Sequence, residues 1–600
     1  MRRKWPVSTL ACLFLAHFSF GARQPALDRP TLDAAQTWFT ACRSWLDSNP
    51  EPASIPDKTP LKLAVPAEFQ TLRFSAVAVV LRLDGRPVGE AWKAGPETSA
   101  ISSALQLAFA NASVDRRVAS LPSDLLATLG SRLTIELELA GEPQPLTGQR
   151  LDLLASRVQP ALEAFAFRNG DRWVFAMPSI VQSRNQSSVL KYLALLSARD
   201  IGIDFTGATD LQLPDGAAAY RVATRRFAQV APSAKPFESI RGSRLVDRAN
   251  IHAASMTTMA TDLAHHLLQR WPTTESLDAE AARSIQALGP RALYQPSSGS
   301  WPQLVSNPAD QSLAALAMAE ASCAPWLSQE DRTAARAFAV STLQALQTIE
   351  PEEIDPAADA QAISTIVLTV DVLDRQDTSW CSAEHRLWIA HLREVLIALA
   401  EKLEKPQSSL ACVITAALGQ NTPPSLRKAA WDAADPDCTL AATPWMLRNT
   451  TLVDPQAVRA AWVAALPALL ETQWSIESPG HESADLDGGW ARGSSTAGPT
   501  ALSSRVALAL AMALKHDGAI ESDQRPEGVE SLRRAMRRLR QLQVDHEASY
   551  AFRDPAKAHG GIRAAPWDSD EHMTATAYTL LAALHAHEVF AAAEAVASQP

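Results

Sequence analysis

The apolar residues of this chain change their period once, near residue 240. Strand side chains alternate between two faces, whereas helical side chains return to one face every 3.6 residues, so a single element cannot serve both patterns. Phe74–Leu83 is an apolar run of strand length, and Leu133, Ile135, Leu137 and Leu139 alternate with Thr134, Glu136 and Glu138 as in a half-buried strand. Asn169-Gly170 separates two aromatic runs within Phe165–Phe175, where a turn needing positive φ closes a hairpin. Tyr220–Phe227 reads as another strand, entered through Leu213-Pro214-Asp215-Gly216, and Thr98–Asn111 and Ser188–Arg199 read as helices. From Val246 onward the spacing is helical: Ile363, Ile366, Val367, Val370 and Leu373 share a face, as do Leu532, Met536, Leu539 and Leu542. Breakers such as Gly289-Pro290, Pro423-Pro424, Gly488-Gly489 and Gly560-Gly561 recur between about twelve helices, with no strand pattern among them. The expected organisation is multidomain: an α+β domain over 61–232, a linker over 233–245 and an all-α domain over 246–597. Residues 23–60 supply a helix around Ala34–Leu46 and a proline-rich linker.

Residues 1–22 read as a signal peptide. Arg2, Arg3 and Lys4 precede the apolar run Val7–Phe20, and Ser19-Phe20-Gly21 offers small residues for cleavage. The run is too short for a comfortable membrane span, and no later stretch reaches about 20 apolar residues without charge. The expected destination is periplasmic or extracellular. A formal charge of −10, which becomes −13 once those three cations leave, argues against nucleic-acid binding. With 47% hydrophobic residues the chain has ample material for cores. Cys42, Cys323, Cys381, Cys412 and Cys438 remain after cleavage, with no Cys-x-x-Cys spacing, so they form neither a disulfide framework nor a zinc site.

The N-terminal element order resembles the AMMECR family over roughly residues 70–228. The likeness rests on Asp84-Gly85-Arg86, a helix closing at Asp115-Arg116-Arg117, Leu121–Leu125 leading into Leu133–Leu139, the Phe165–Pro178 hairpin and the Ala219–Arg225 strand. Where the family continues Arg-Gly-Cys-Ile-Gly, this chain has Val88-Gly89-Glu90-Ala91, so the cysteine is replaced by Glu90 and no activity transfers.

In the helical half a layout recurs. Gly299-Ser-Trp301, Asp487-Gly-Gly-Trp490 and Gly560-Gly-Ile562 each precede a helix rich in small residues, and Gln473 and Gln541 stand upstream of the second and third copies. Such recurrence implies stacked helical hairpins, each burying a face on its neighbour. The unit resembles the Gln-Trp repeat of squalene and hopene cyclases and of protein prenyltransferase β-subunits, most closely at Gly560–Tyr578. The resemblance implies an α/α toroid; the same hairpins could also build an open solenoid.

The chemistry of those families is not spelled out here. Asp485-Leu486-Asp487-Gly488 lacks the full Asp-x-Asp-Asp acid of the cyclases, and 6% aromatic residues are few for a carbocation cavity. His572 falls where the prenyltransferase zinc histidine would be, but Ala497–Thr500 replaces the Asp-x-Cys, so no metal is expected. The remaining candidates are acids in two turns: Glu482, Asp485 and Asp487, with Asp568, Asp570 and Glu571. Paired carboxylates are what glycoside hydrolysis needs, and Trp490 and Trp567 could stack sugars; Arg563 and His572 join them as candidate binding residues. The competing reading makes Asp568-Ser569-Asp570 a helix N-cap and Asp487-Gly488 an ordinary turn. His265-His266 and His585-x-His587 lack metal-pair spacing, and Arg533, Arg534, Arg537, Arg538 and Arg540 read as a solvated basic face paired with neighbouring carboxylates, ahead of an anionic-ligand site. The expected function is an exported binding or scaffolding protein without cofactor. The alternatives are a glycan-active enzyme using the acids and an isoprenoid-binding protein. Expected partners are a polysaccharide, an isoprenoid or another exported protein.

Overall fold

The computed structural model describes residues 30–49, 63–69, 73–95, 99–184, 212–213, 215–272, 289–302, 305–347, 356–403, 408–430, 436–448, 455–476, 483–491 and 498–598. The leader, Ser188–Arg199, Pro214 and Glu482 lie outside them.

The N-terminal half is built on an antiparallel sheet of order β2-β1-β3-β7-β5-β6, with β4 and β8 pairing β7. Its strands are β1 Ala76–Leu83, β2 Arg86–Ala94, β3 Thr134–Ala140, β4 Gln144–Leu146, β5 Glu163–Asn169, β6 Arg172–Ala176, β7 Ala217–Ala228 and β8 Phe237–Glu238. β1 is buried along its whole length because both of its faces are covered. Val77, Val79 and Leu81 pack toward helices α1 (Leu32–Ser48) and α2 (Ser99–Val114), while Ala76, Ala78 and Val80 join Phe165, Phe167, Phe175 and helix α3 (Pro178–Ser183). α1 belongs to this body: Arg43 donates to the carbonyls of Leu133 and Gly130.

β2 has no clear strand signature because it contains Pro87 and Gly89. The glycine is required, since a Cβ there would lie 2.0 Å from the Ala108 carbonyl oxygen of α2. In the hairpin, Asn169 pairs with Arg172, so the two-residue loop is Gly170-Asp171, one position later than expected. Gly170 alone takes positive φ, 59°, as in a type II′ turn with glycine at its first central position.

The C-terminal half is mostly helical. Its helices are α4 Ala253–Leu268, α5 Pro308–Cys323, α6 Gln329–Gln347, α7 Pro356–Gln376, α8 Ala383–Lys402, α9 Ser408–Leu418, α10 Pro424–Ala430, α11 Pro436–Met446, α12 Pro455–Thr472, α13 Ser503–Lys515, α14 Arg525–Leu542 and α15 Met573–Ala597. α5 packs on α7, α7 on α9, α9 on α11, α11 on α13, α13 on α15, and α15 on α5. Alternate helices each pack on a member of that series: α6 on α5, α8 on α7, α10 on α9, α12 on α11 and α14 on α13. Their shared core includes Leu316, Val367, Ile414, Trp462, Leu510 and Leu581, all 5% exposed or less. α15 has the length and hydropathy of a membrane span, yet it packs among α4, α5 and α13.

The expectation that no strand interrupts the helices is corrected. β9 Leu293–Tyr294, β10 Arg563–Ala565 and β11 Asp568–His572 form a small sheet of order β10-β11-β9. The repeat is visible atom by atom. Gln473 bridges to Trp490 and Gln543 to Ile562, while Trp474 N–H donates to Gly489 O at 2.9 Å and Val544 N–H to Gly561 O at 2.8 Å. Gln543, immediately after α14, is therefore the counterpart of Gln473, in place of Gln541. Gly488 and Gly560 have φ of 87° and 84°, each turned against a helix carbonyl. Cys42, Cys323 and Cys381 are free thiols.

Candidate functional site

Asp485 lies in a short 3-10 turn, fully buried, and pairs with Arg241 from the segment that links the two halves. Arg241 also donates to Pro160 O at 3.1 Å and Gln159 Oε1 at 3.3 Å, so one guanidinium ties the sheet body to the repeat turn. Asp487 receives Arg534 at 2.7 Å, Arg537 at 3.5 Å and the Ile476 N–H at 3.0 Å. These arginines belong to the α14 face read as solvated. The pairing with carboxylates holds, but the solvation is corrected at two of the arginines: Arg537 is 5% and Arg538 0% exposed, and Arg538 donates to Asp485 O and Pro499 O. The face turns inward because the turn offers two carboxylates and several carbonyls that need donors. Burial lowers the pKa of Arg538 to about 9, against the opposing pull of Asp485.

Asp568 and Asp570 are not helix caps. They belong to β11, and the N-cap of α15 is His572, which is exposed and makes no side-chain cap bond. Asp568 Oδ1 accepts the Asp570 N–H at 3.1 Å, and Gln295 Nε2 donates to Asp570 Oδ2 at 3.4 Å. Glu571, the next residue along β11, is 0% exposed and lies 3.3 Å from His266 Nε2. Burial holds Glu571 well above the usual carboxylate range and His266 well below the usual imidazole range, which favours the neutral form of each. Arg270 completes the group, its Nη2 lying 2.9 Å from His266 Nε2 and donating to Glu571 O at 3.0 Å. Of this cluster the sequence reading singled out His266 and Glu571 without joining them.

Trp490 is buried and its indole N–H donates to Leu469 O at 3.0 Å, so its ring packs the repeat and offers no face to a sugar. Arg563 is 3% exposed and donates to Gln541 O, Ser243 Oγ, Arg241 O and Leu542 O. Trp567 is half-buried at the seam between the two halves.

That seam holds a cavity of about 40 Å³ for the centres of water molecules, lined by Arg82, Arg226, Arg241, Arg563, Gln182 and Trp567, with Asp568 and Ser297 also on its wall. Arg82 and Arg226 reach it from β1 and β7 and share Glu136, one of the alternating acids of β3. The polar face of β3 is thus buried, with Glu136 at 1% and Glu138 at 0% exposure, because it lies under the seam and not under solvent. Glu138 accepts from Ser179 N–H at 2.8 Å and Thr224 Oγ1 at 2.7 Å, and burial raises its pKa. Gly85 lets the halves approach: a Cβ there would lie 1.9 Å from Phe552 O.

A larger recess of about 580 Å³ opens where α5, α7, α13 and α15 converge. Glu320, Arg448 and His585 meet there. Arg448 donates to Glu320 at 2.6 and 2.9 Å, and His585 Nε2 lies 3.1 Å from the second oxygen. Burial would raise the Glu320 pKa, but Arg448 and His585 outweigh it and bring it to about 2. Trp326 and His587 stack at 4.0 Å, and the wall combines Leu368, Val372, Leu447, Met512 and Leu584 with the charged Asp371, Arg375, Lys515, Asp517 and Glu588. No group of three or more potential metal ligands occurs among the described residues.

Fold and site define an α+β sheet body joined through a buried arginine-rich seam to a mostly helical body. No protein-family model and no curated protein matches the chain. Among solved structures, an uncharacterized protein, PH0010 from Pyrococcus horikoshii, is similar over 34% of this chain and 97% of its own, at 14% identity and a TM-score of 0.26. A likeness that weak adds nothing to the fold described above.

Proposed function

We propose that the protein is an exported binding protein whose helical half is an α/α toroid, of the kind found in squalene/hopene cyclases and prenyltransferase β-subunits, carrying an AMMECR-like domain in front of it. The toroid reading is supported by the packing series α5-α7-α9-α11-α13-α15, whose last member returns to the first, each member also packing against a helix that is not in the series. Binding rather than catalysis is favoured by one observation above all: the acids Asp485 and Asp487 are already neutralised by Arg241, Arg534 and Arg537. A general acid or nucleophile must face its substrate, and a carboxylate spent on a guanidinium is poorly placed for either role. The recess beside Glu320 has the volume of a small-molecule site, and its wall combines an apolar patch with the charged side chains of Asp371, Arg375, Lys515, Asp517 and Glu588.

An isoprenoid is the second reading, favoured by that apolar patch of Leu368, Val372, Leu447, Met512 and Leu584. Native mass spectrometry of protein purified from its exporting host tests both. Binding predicts a co-purifying small molecule lost on Met512→Trp, which fills the recess. An isoprenoid predicts a hydrocarbon mass. A clean apo spectrum, with no thermal stabilisation by long-chain isoprenoids, would remove both readings of the recess.

A further inference from the structure

We infer that the seam cavity between the two halves is a binding site for an oxyanion, a phosphate-like or carboxylate group. The inference is separate from the recess in the helical half and does not depend on it. Four guanidiniums line the cavity, from Arg82, Arg226, Arg241 and Arg563. Glu136 serves both Arg82 and Arg226, and Asp485 serves Arg241. Arg563 has four hydrogen bonds, all to neutral oxygens, and no carboxylate within ion-pair distance among the described residues. Asp568 is the one further carboxylate on the wall, so the lining keeps an excess of positive charge.

Donors are also left over. Arg82 Nε is buried without an acceptor, on a side chain only 3% exposed, and Ser297 Oγ is buried without a partner. The hydrogen bonds of Arg226 use Nε and Nη1, engaging Glu136 and Gln182. A buried donor without an acceptor costs about 1–3 kcal/mol, more when charged, so spare donors converging on one space call for an acceptor that occupies it. Water could take some of these bonds. A water molecule cannot offset the excess charge, whereas an oxyanion does both, through charge-assisted bonds to guanidinium. Space for several water centres accommodates one such group. Gly242 leaves the wall open, because a Cβ there would lie 3.3 Å from Gln182 Oε1 and 3.8 Å from Arg563 Nη1. Half-buried Trp567 stands on the wall of the same cavity.

Equilibrium dialysis of the full mature chain, with inorganic phosphate, sulfate and acetate as separate probes against a chloride background of constant ionic strength, tests this. The expected result is saturable binding of one anion per chain. It should weaken about tenfold or more in Ser297→Leu, which fills the space and keeps every charge, and in Arg563→Gln, which removes the unmatched one. Tighter binding of phosphate and sulfate than acetate identifies a tetrahedral group; the reverse identifies a carboxylate. No saturable binding by the wild-type chain up to about 10 mM of any probe, or binding unchanged in whichever of the two variants folds, would overturn the inference.

Discussion

Arg241 and Asp485 lie 244 positions apart in sequence and meet as an ion pair in which each side chain is about 1% exposed. The pair joins the end of the sheet body to a turn between α12 and α13. Removing one partner strands a buried charge, which costs about 3–5 kcal/mol, whereas replacing both with apolar groups of similar volume is close to neutral. Arg241→Met and Asp485→Leu should each lower the denaturation midpoint sharply, and the double variant should recover most of the loss. Chemical denaturation followed by tryptophan fluorescence measures it. Additive losses in the double variant would show that the pair does not clamp the halves.

The repeat turns make a second prediction. Gly488→Ala would place a Cβ 2.0 Å from Arg534 O, and Gly560→Ala one 2.1 Å from Asp262 O, both at positive φ. Each should cost about 3 kcal/mol or more. Gly518 also has positive φ, 79°, but nothing lies within 4 Å of its Cβ, so Gly518→Ala should cost only about 1–2 kcal/mol. Thermal melts of the three variants rank them.

Glu320 ties stability to acid. Its pKa is depressed to about 2 in the folded chain, from an unfolded value of 4.5, so its contribution is present above about pH 4.5 and lost as pH falls toward 2. That window corresponds to about 3 kcal/mol. Melting temperature against pH should fall more steeply for the wild type than for Glu320→Gln between those limits, and parallel curves would refute the pairing with Arg448 and His585.

Glu571 carries the opposite sign. Its folded pKa is raised, so the folded state holds a proton that the unfolded state releases above about pH 4.5, and stability falls as pH rises. Glu571→Gln should be near neutral at pH 5 and more stable than wild type at pH 8. Both comparisons need only melting curves at two pH values.

Much of this was legible in the sequence, and the rest was hidden for physical reasons. The alternation at Leu133–Leu139 and the small-residue helices after Gly488 and Gly560 announced β3, α13 and α15, because periodicity is a local property. Alternation cannot tell a solvent-facing polar stripe from one buried under a second body, so Glu136 and Glu138 read as exposed. Asp568-Ser569-Asp570 has the composition of a helix cap, and its pairing, Asp568 with Ala565 and Glu571 with both Arg563 and the far upstream Tyr294, makes it a strand. Nothing in the sequence around Arg82, Arg226 and Arg241 says that they share a site. Their meaning comes from partners 54, 90 and 244 positions away. Of the candidate site residues, Arg563, Trp567 and Asp568 do meet at one cavity, together with residues that no local pattern picks out.

The central claim is that the turn acids hold the molecule together and do no chemistry. The direct test is release of reducing ends or unsaturated products from a panel of common polysaccharides, comparing the purified wild-type chain with Asp487→Asn and Asp570→Asn. No turnover by any of them, with Asp487→Asn less stable because Arg534 and Arg537 lose their carboxylate, is the predicted result. Turnover by the wild type that disappears in a folded Asp487→Asn or Asp570→Asn variant would contradict it and make these carboxylates catalytic.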